Sequence, residues 1–465
     1  MSSSFFGFNI GVRALTASQK ALEVISHNIA NINTDGYKKQ DVVLKTTQPE
    51  GIPQINRSIS AGQLGSGVFV SEIKRMYDQY IERELNNELQ NNGKWEAGIK
   101  SFEQIETILD ETSDNGLRQM MDDYWNSLED LGASPENYSV RKSLVENTKS
   151  LCSLFRSKYE KLQKLRQDIN TEIELKIKDI NNLASQIKDL NKLIKEISIS
   201  QDNPNDLMDQ RDSLINQLNK IINIDVKETS FNQVDIFIGG TAIVRENNNF
   251  MVDASLNAET GFYDIKWSDT NRPVEVKNGE LYSLLNFRDV YIPDIMNKLD
   301  NLANFFIIQT NNIHKTGFGL DGTSTGYDYF VGSSAADINI NPDIDSDITL
   351  IAASKNPNQP GDNSNIIDIL NLRNQKILDS NTTKPDDYYN NMIVKIGVEA
   401  QQCERERQNS QLLLDKINER KESVSGVSLD EELVNMVKYQ HAYNAAAKII
   451  NVMDSLFETI IKDLS

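Results

Sequence analysis

Apolar residues near the N-terminus recur at Leu15, Leu22, Ile25, Ile29 and Ile32, spacings of 7, 3, 4 and 3. That pattern puts them on one face of an amphipathic helix. Asn33-Thr34-Asp35-Gly36 predicts its end, with a glycine near the position where helices stop. Residues 40–73 read as extended: Val42-Val43-Leu44, two prolines, then Gly65-Ser66-Gly67-Val68-Phe69-Val70. Helix is predicted again from Tyr77 to about Thr112 and from Leu117 to Leu131, the second closed by Gly132 and Pro135.

The longest helix is predicted over 138–200. Ile180, Leu183, Ile187, Leu190, Ile194 and Ile197 keep heptad spacing, and Leu162, Leu165, Ile169 and Ile173 extend the register upstream. About 60 residues rising ~1.5 Å each make a rod of roughly 90 Å. Asn203-Pro204-Asn205-Asp206 breaks it, and a helix from Leu207 to Ile222 follows. Between 224 and 282 the period changes to two. Val234 to Ile238, Thr241 to Arg245, Phe250 to Asp253, Phe262 to Trp267 and Pro273 to Val276 read as strands, with turns at Gly239-Gly240 and Asn247-Asn248-Asn249. Helix resumes at Pro293 and runs to His314. Residues 316–350 are turn-rich, and helices return at about 364–377, 385–423 and 428–464.

The last helix carries two adjacent apolar stripes. One holds Leu429, Leu433, Met436, Tyr443, Ala447, Ile450, Phe457, Ile461 and Leu464. The other holds Tyr439, Ala442, Ala446, Ile449, Met453, Leu456 and Ile460. A face that wide covers more than one neighbour. The expected fold is mainly α and elongated: a long coiled-coil-like helical domain built by both halves of the chain, a small inserted β domain, and amphipathic terminal helices that pack together. The expected units are an N-terminal helix (1–40), a first rod half (41–223), the β insert (224–285), a second rod half (286–424) and a C-terminal helix (425–465).

Composition narrows the function. The 465 residues carry a net charge of -20, which disfavours phosphate backbones and anionic membrane surfaces. No apolar run approaches the roughly 18 residues of a membrane span. Residues at the N-terminus do not form a secretory signal, since Arg13 and Lys20 interrupt the apolar stretch. Composition alone therefore implies a cytoplasmic protein. Cys152 and Cys403 lie in helical patterns without a CxxC, so neither a disulfide scaffold nor a zinc site is expected, and one bridge between them stays open.

Chemical motifs fail on context. Gly317 to Gly322 fits GxGxxG, but it follows a helix, not a strand, and opens none. Asp343, Asp345 and Asp347 have the opening spacing of a calcium loop, yet Ile348 and Ser354 stand where Gly and Glu are needed. His27, His314 and His441 sit in separate helices with no plausible Cys or Asp partner. The Glu404-Arg405-Glu406-Arg407 run reads as a solvated helix face. No catalytic residue, metal site or cofactor is expected.

Two stretches carry more. The first is His27-Asn28-Ile29-Ala30-Asn31-Ile32-Asn33-Thr34-Asp35-Gly36-Tyr37-Lys38-Lys39. Asn is a middling helix former that prefers backbone partners, so amides at Asn28 and Asn31 predict polar packing against another chain. The second runs from Ser425-Gly426-Val427-Ser428-Leu429-Asp430-Glu431-Glu432 to Lys448 and includes Tyr439-Gln440-His441-Ala442-Tyr443 and Ala445-Ala446-Ala447. Ser428 and Glu431 form a capping box at its helix start. Both resemble the end signatures of the axial proteins of the bacterial flagellum: rod, hook and hook-associated. Internal stretches resemble the first hook-associated branch in particular, in the same order along nearly the whole chain. They are Gly65 to Val70, Arg75 to Asp78, Asn205 to Asp212, Gly279 to Leu281, Arg288-Asp289, Ile292-Pro293, and His314 with Gly317 and Gly322. His441 departs from the residue common there, and the β region is compact beside that of longer relatives.

The resemblance implies a structural protein joining hook to filament, not an enzyme. It implies export through the flagellar channel without a cleaved signal, so an extracellular flagellar location replaces the cytoplasmic one. Implied partners are copies of itself, the hook protein, the next hook-associated junction protein, and an export chaperone on the C-terminal helix; nucleic acid and membrane insertion are not expected. The assembly interface it implies comprises Leu22, Ile25, Asn28, Ile29, Asn31, Asn33, Gly36 and Tyr37 at one end, and Leu433, Met436, Gln440, Tyr443, Ala447, Ile450, Phe457 and Ile461 at the other. A hook or rod protein is the alternative, and a cell-wall hydrolase with unrecognised carboxylates a remoter one.

Overall fold

The computed structural model describes residues 2–47, 65–110, 116–200 and 202–464. The two prolines, Pro49 and Pro53, and Thr112 fall outside the described residues. The first helix, α1 (Ser2–Ala30), leads through a turn into the antiparallel hairpin β1 (Gln40–Thr46) and β2 (Val68–Arg75). Helices α2 (Gln79–Leu109), α3 (Leu117–Ala133), α4 (Tyr138–Ile199) and α5 (Asn205–Ile221) follow. Asp78 starts α2 by accepting the backbone N–H groups of Tyr80 and Ile81. The 62 residues of α4 span about 93 Å at ~1.5 Å per residue, so the molecule is elongated along this helix.

The β insert is a meander of β3 (Asp225–Glu228), β4 (Val234–Ile238), β5 (Thr241–Arg245) and β6 (Asn248–Asn249), followed by the hairpin β7 (Val252–Leu256) and β8 (Tyr263–Trp267). Gly239 and Gly240 have φ of 55° and 82°, which the two-residue turn between β4 and β5 requires. Pro273–Val276 forms no strand, only a bridge from Pro273 to Lys266. Helix begins at Glu280, inside the span expected to be β. There α6 (Glu280–Asn286) passes through a π-helical stretch, Phe287–Tyr291, into α7 (Ile292–His314). Then come β9 (Phe330–Val331), β10 (Asn339–Ile340), α8 (Pro342–Ser346), α9 (Ser364–Asn371), the short turn α10 (Leu378–Asn381), α11 (Pro385–Ser425) and α12 (Leu429–Leu464).

One hydrophobic core runs through α2, α3, α4, α7, α9 and α11, and the inward side chains of the β insert (Val234, Ile236, Ile238, Val244, Val252, Trp267) belong to it. The heptad stripe of α4 is buried as expected at Leu162, Leu165, Ile169, Ile173, Ile180, Leu183, Ile187 and Ile194. Its partner changes along the length, however. The N-terminal half packs on α3 and α7, and the C-terminal half on α5 and the β insert. At the far end Asn191, not Leu190, is fully buried. Its amide donates to Val234 O at 2.7 Å and accepts Val234 N–H at 3.2 Å. Asn181 grips Val252 in the same two-point way, at 2.7 and 3.0 Å. Asn170 accepts Tyr263 N–H at 2.9 Å. Three side-chain amides on one helix thus supply the hydrogen bonds that strand backbones would otherwise lose on burial.

The glycine run at 317–322 is a turn. Phe318 pairs with Ser354, and Asp321 accepts the N–H groups of Thr323 and Ser324. The three acids of the calcium-like spacing do not converge: Asp345 pairs with Lys149, and Asp347 accepts from Thr349. Cys152 and Cys403 are both free and buried.

His314 is fully buried. Its Nδ1 donates to Tyr327 O at 2.8 Å, and its Nε2 accepts Ala352 N–H at 3.0 Å. The bond from Ala352 needs the neutral ring, and burial pushes its pKa from 6.5 to about 4 although the Tyr327 bond favours the charged form. The stability this provides is complete above pH 6.5 and is lost as pH falls from 6.5 towards 4, about 3 kcal/mol in all. Ring nitrogen shifts in the folded protein should show His314 neutral at pH 5.5; titration above pH 6 would refute this arrangement.

Candidate assembly joint

The two chain ends form an antiparallel pair of helices. Gly7 lies against Met453, where an added Cβ would come within 2.5 Å of its Cε. Gly11 lies against Ile450 and Ala446, with its added Cβ 2.9 Å from Ile450 Cγ1. Ala17 and Ala21 on α1 are also buried. Small residues let the two backbones approach closely. The stripe of large residues does not include them. A small cluster of Ala21, Val24 and Val42, with Val70, Ile73 and Tyr439 packed on it, joins this pair to the β1–β2 hairpin.

The expected interface residues divide. Ile25 is buried, and Leu22, Ile29, Met436, Tyr443, Ala447, Ile450 and Phe457 are half-buried on the pair's inner side. Leu433, Gln440, Ile461 and Asn33 are exposed. Asn28 corrects its expectation of contact with another chain. It is buried, donates to Gln40 O at 2.9 Å and Glu432 Oε2 at 3.0 Å, and accepts Gln40 N–H at 3.0 Å and the Tyr37 hydroxyl at 2.8 Å. Asn31 is also used locally, donating to His27 O and accepting from Thr34.

Below this pair, four of the quoted stretches meet. Gly36, at φ +76°, takes the left-handed conformation that glycine adopts without strain, and the chain turns so that Lys38 points into the molecule. Lys38 Nζ lies 2.6 Å from Asp212 and 2.8 Å from Glu82, and the Lys38 N–H donates to Asp209 at 3.0 Å. Arg75, at the end of β2, reaches Asp209 at 2.9 Å and Asp212 at 2.7 Å. Arg211 lies behind, 3.8 Å from Asp212, and donates to Asn191 and to Asn232 O. Lys39 turns the other way and pairs with Glu431 and Glu432 at the start of α12, at 3.0 and 3.1 Å. Its N–H donates to Ser425 O at the end of α11.

Three cations (Lys38, Arg75, Arg211) thus oppose three carboxylates (Glu82, Asp209, Asp212). The two aspartates respond differently. Burial outweighs Lys38 and Arg75 at Asp209 and raises its pKa. At Asp212 burial is outweighed by Lys38, Arg75 and Arg211, which hold the carboxyl below its usual range. The joint is a clamp and offers no nucleophile or free base.

The chain matches the family model described as the flagellar hook-associated protein FlgK helical domain over residues 102–330. Its ends match the flagella basal body rod protein model (8–38) and the C-terminal model of the flagellar basal body rod FlgEFG proteins (422–463). It is 31% identical to flagellar hook-associated protein 1 of Bacillus subtilis, over 100% of this chain and 99% of the relative. The chain belongs to the flagellar hook-associated protein 1 family. The protein of that name from Salmonella typhimurium is 23% identical, over 97% of this chain and 99% of its own. That alignment runs to 557 positions, so the Salmonella protein carries residues with no counterpart here. The solved structure of the flagellar hook junction protein FlgK from Burkholderia pseudomallei shares the fold, with a TM-score of 0.63 and 15% identity, covering 73% of this chain and 100% of that one. The family is structural and not enzymatic, and this chain is an extracellular, hook-associated component of the bacterial flagellum. No described helix is long and apolar enough to cross a membrane.

Removing the charge of Asp212 leaves Lys38 and Arg75 buried with too few counter-charges. Asp212→Asn is expected to cost about 3 kcal/mol, measured as a lower urea midpoint. Asp209→Asn is expected to cost less, because burial already disfavours that charge. Equal midpoints for Asp212→Asn and the unaltered protein would rule out the clamp.

Proposed function

We propose that this protein sits between hook and filament and assembles through its paired terminal helices, residues 1–40 and 425–465. The observation that carries the reading is the one-sided burial of α12. Its inner side rests on α1, yet Leu429, Leu433, Val434, Val437, Ile449, Val452, Leu456 and Ile461 stay exposed. A helix that apolar on its open side has contacts still to make. Neighbouring copies supply them within the ring or short helical zone that head-to-tail contacts generate, and the hook protein and the next junction protein bound it on either side. Before export the same open side of α12 is the site for a helical chaperone. The rod, residues 41–223 and 286–424, holds these ends at a set angle.

The terminal pair has few fully buried side chains, while the rod has a continuous core. The pair is therefore the least stable part of the isolated subunit and gains its order on assembly. In the monomer, amides of residues 10–29 and 433–453 should exchange much faster than those of α4; equal protection would contradict this. Ile450→Asp and Phe457→Asp place a charge on the inner side of α12. Each should leave the rod's thermal transition in place, produce hooks without filaments, and release flagellin into the medium. Normal filaments on both variants would defeat the reading.

A further inference from the structure

Two features of the molecule are complementary but lie far apart within one chain. The first is a cleft of about 630 Å³ between the turn after α1 and the α4–α5 pair. Leu190, Leu193 and Leu214 give it an apolar floor, with Asn31, Asp35 and Gln186 among its polar lining. Leu193 is 45% exposed although neighbouring leucines surround it. Asp35 has no cation partner among the described residues, and Asp189 at the rim pairs only with the adjacent Lys188. The opening is therefore apolar below and acidic around its edge.

The second feature is the distal outer flank of α12. Ile449, Val452 and Leu456 follow helical spacing and are 43%, 56% and 51% exposed. In a chain of net charge -20, the stretch from Leu433 to Met453 contains no Asp or Glu but includes Lys438 and Lys448. Neither lysine has an acidic partner among the described residues. Beside Ile449, Val452 and Leu456 the nearest charge towards the chain centre is Lys448, and Asp454 is the first acid beyond Met453, so this flank is apolar with a cationic edge at Lys448, the complement of the cleft.

The flank cannot reach the cleft of its own chain. Ile449 lies beside Gly11, and the cleft begins at His27. The intervening stretch of α1 is about 24 Å at ~1.5 Å per residue, and α12 is held along it. We infer that the cleft between the 31–37 turn and the α4–α5 pair receives the distal outer flank of α12, Ile449 to Leu456, from a second copy of this chain. The inference rests on the assembly role proposed above and deepens it. The contact is heterologous, so each copy offers one flank and one cleft. Apolar burial provides attraction, and Lys448 opposite Asp35 or Asp189 sets which partner fits.

Cysteine cross-linking in assembled flagella tests it. Cys152 and Cys403 are buried and do not compete. A full-length chain with Leu193→Cys and Val452→Cys, treated with a short bis-maleimide, should shift to a covalent dimer. Neither single-cysteine chain should do so. Gln186→Cys, on the exposed rim, replaces Leu193→Cys if that variant assembles poorly. In the same assay Lys448→Glu should reduce the dimer, and Asp35→Lys should restore it. Absence of dimer in chains that assemble normally would overturn the contact, as would dimer from Val452→Cys alone, which would place two α12 flanks together. Ile450→Asp separates the two levels. If it and Phe457→Asp both assemble normally the assembly reading itself fails, whereas if both fail to assemble, a missing cross-link in cysteine chains that do assemble removes only this contact.

Discussion

Gathering six charges in one place, five of them buried and Asp212 partly so, is the constraint on which the molecule's arrangement depends. Lys38, Arg75 and Arg211 leave water together with Glu82, Asp209 and Asp212, and such a group is tolerated only when every charge meets its partner. Lys38 comes from the turn after α1, Arg75 from the end of a hairpin, Glu82 from α2, and the rest from α5. A shift of any one segment leaves a charge unpaired. The clamp therefore fixes the direction in which the terminal pair leaves the rod. Lys39, pairing outward with Glu431 and Glu432, extends the same register to α12.

Above the clamp the design changes from charge to shape. Glycines at 7 and 11 let α12 settle against α1, and little else there is fully buried. Close backbone approach without a large core gives contact that is specific but weak. The exposed flanks of α12 are then available to other molecules, which a fully buried helix would not allow. Below the clamp, the shared core of helices and β insert makes the rod the stiff part of the subunit.

The spine of that rod uses a mixed solution. Leucine and isoleucine at heptad spacing fill its buried side, but a sheet cannot interlock with a helix as a second helix does. Asn170, Asn181 and Asn191 bridge the difference by bonding strand backbone directly. Asn191 also holds Arg211, so the attachment of the insert and the clamp share a residue.

Much of this was legible in the sequence, because periodicity and helix ends are local properties. The long helix, a break around Pro204, four of the strands between Val234 and Trp267 and both terminal helices follow from spacing and turn residues alone, whereas α5 already begins at Asn205 and Asn248–Asn249, expected as a turn, pairs as β6. The end signatures by themselves point to the flagellar axial proteins. What sequence could not supply is which separated stretches meet. Arg75, Asp209 and Lys38 lie in stretches that the family resemblance marks, yet only the fold gathers them, since a buried ion pair leaves no local pattern. Asn28 looked like a contact for another chain because its role depends on Gln40 and Glu432, the latter 404 residues away. Leu190 looked buried because a heptad repeat assumes a helical partner, and the tertiary structure put a strand there instead. Local order was set by the sequence of each segment. Partner choice was decided by the tertiary structure, where desolvated charge and close packing admit only one mutual arrangement.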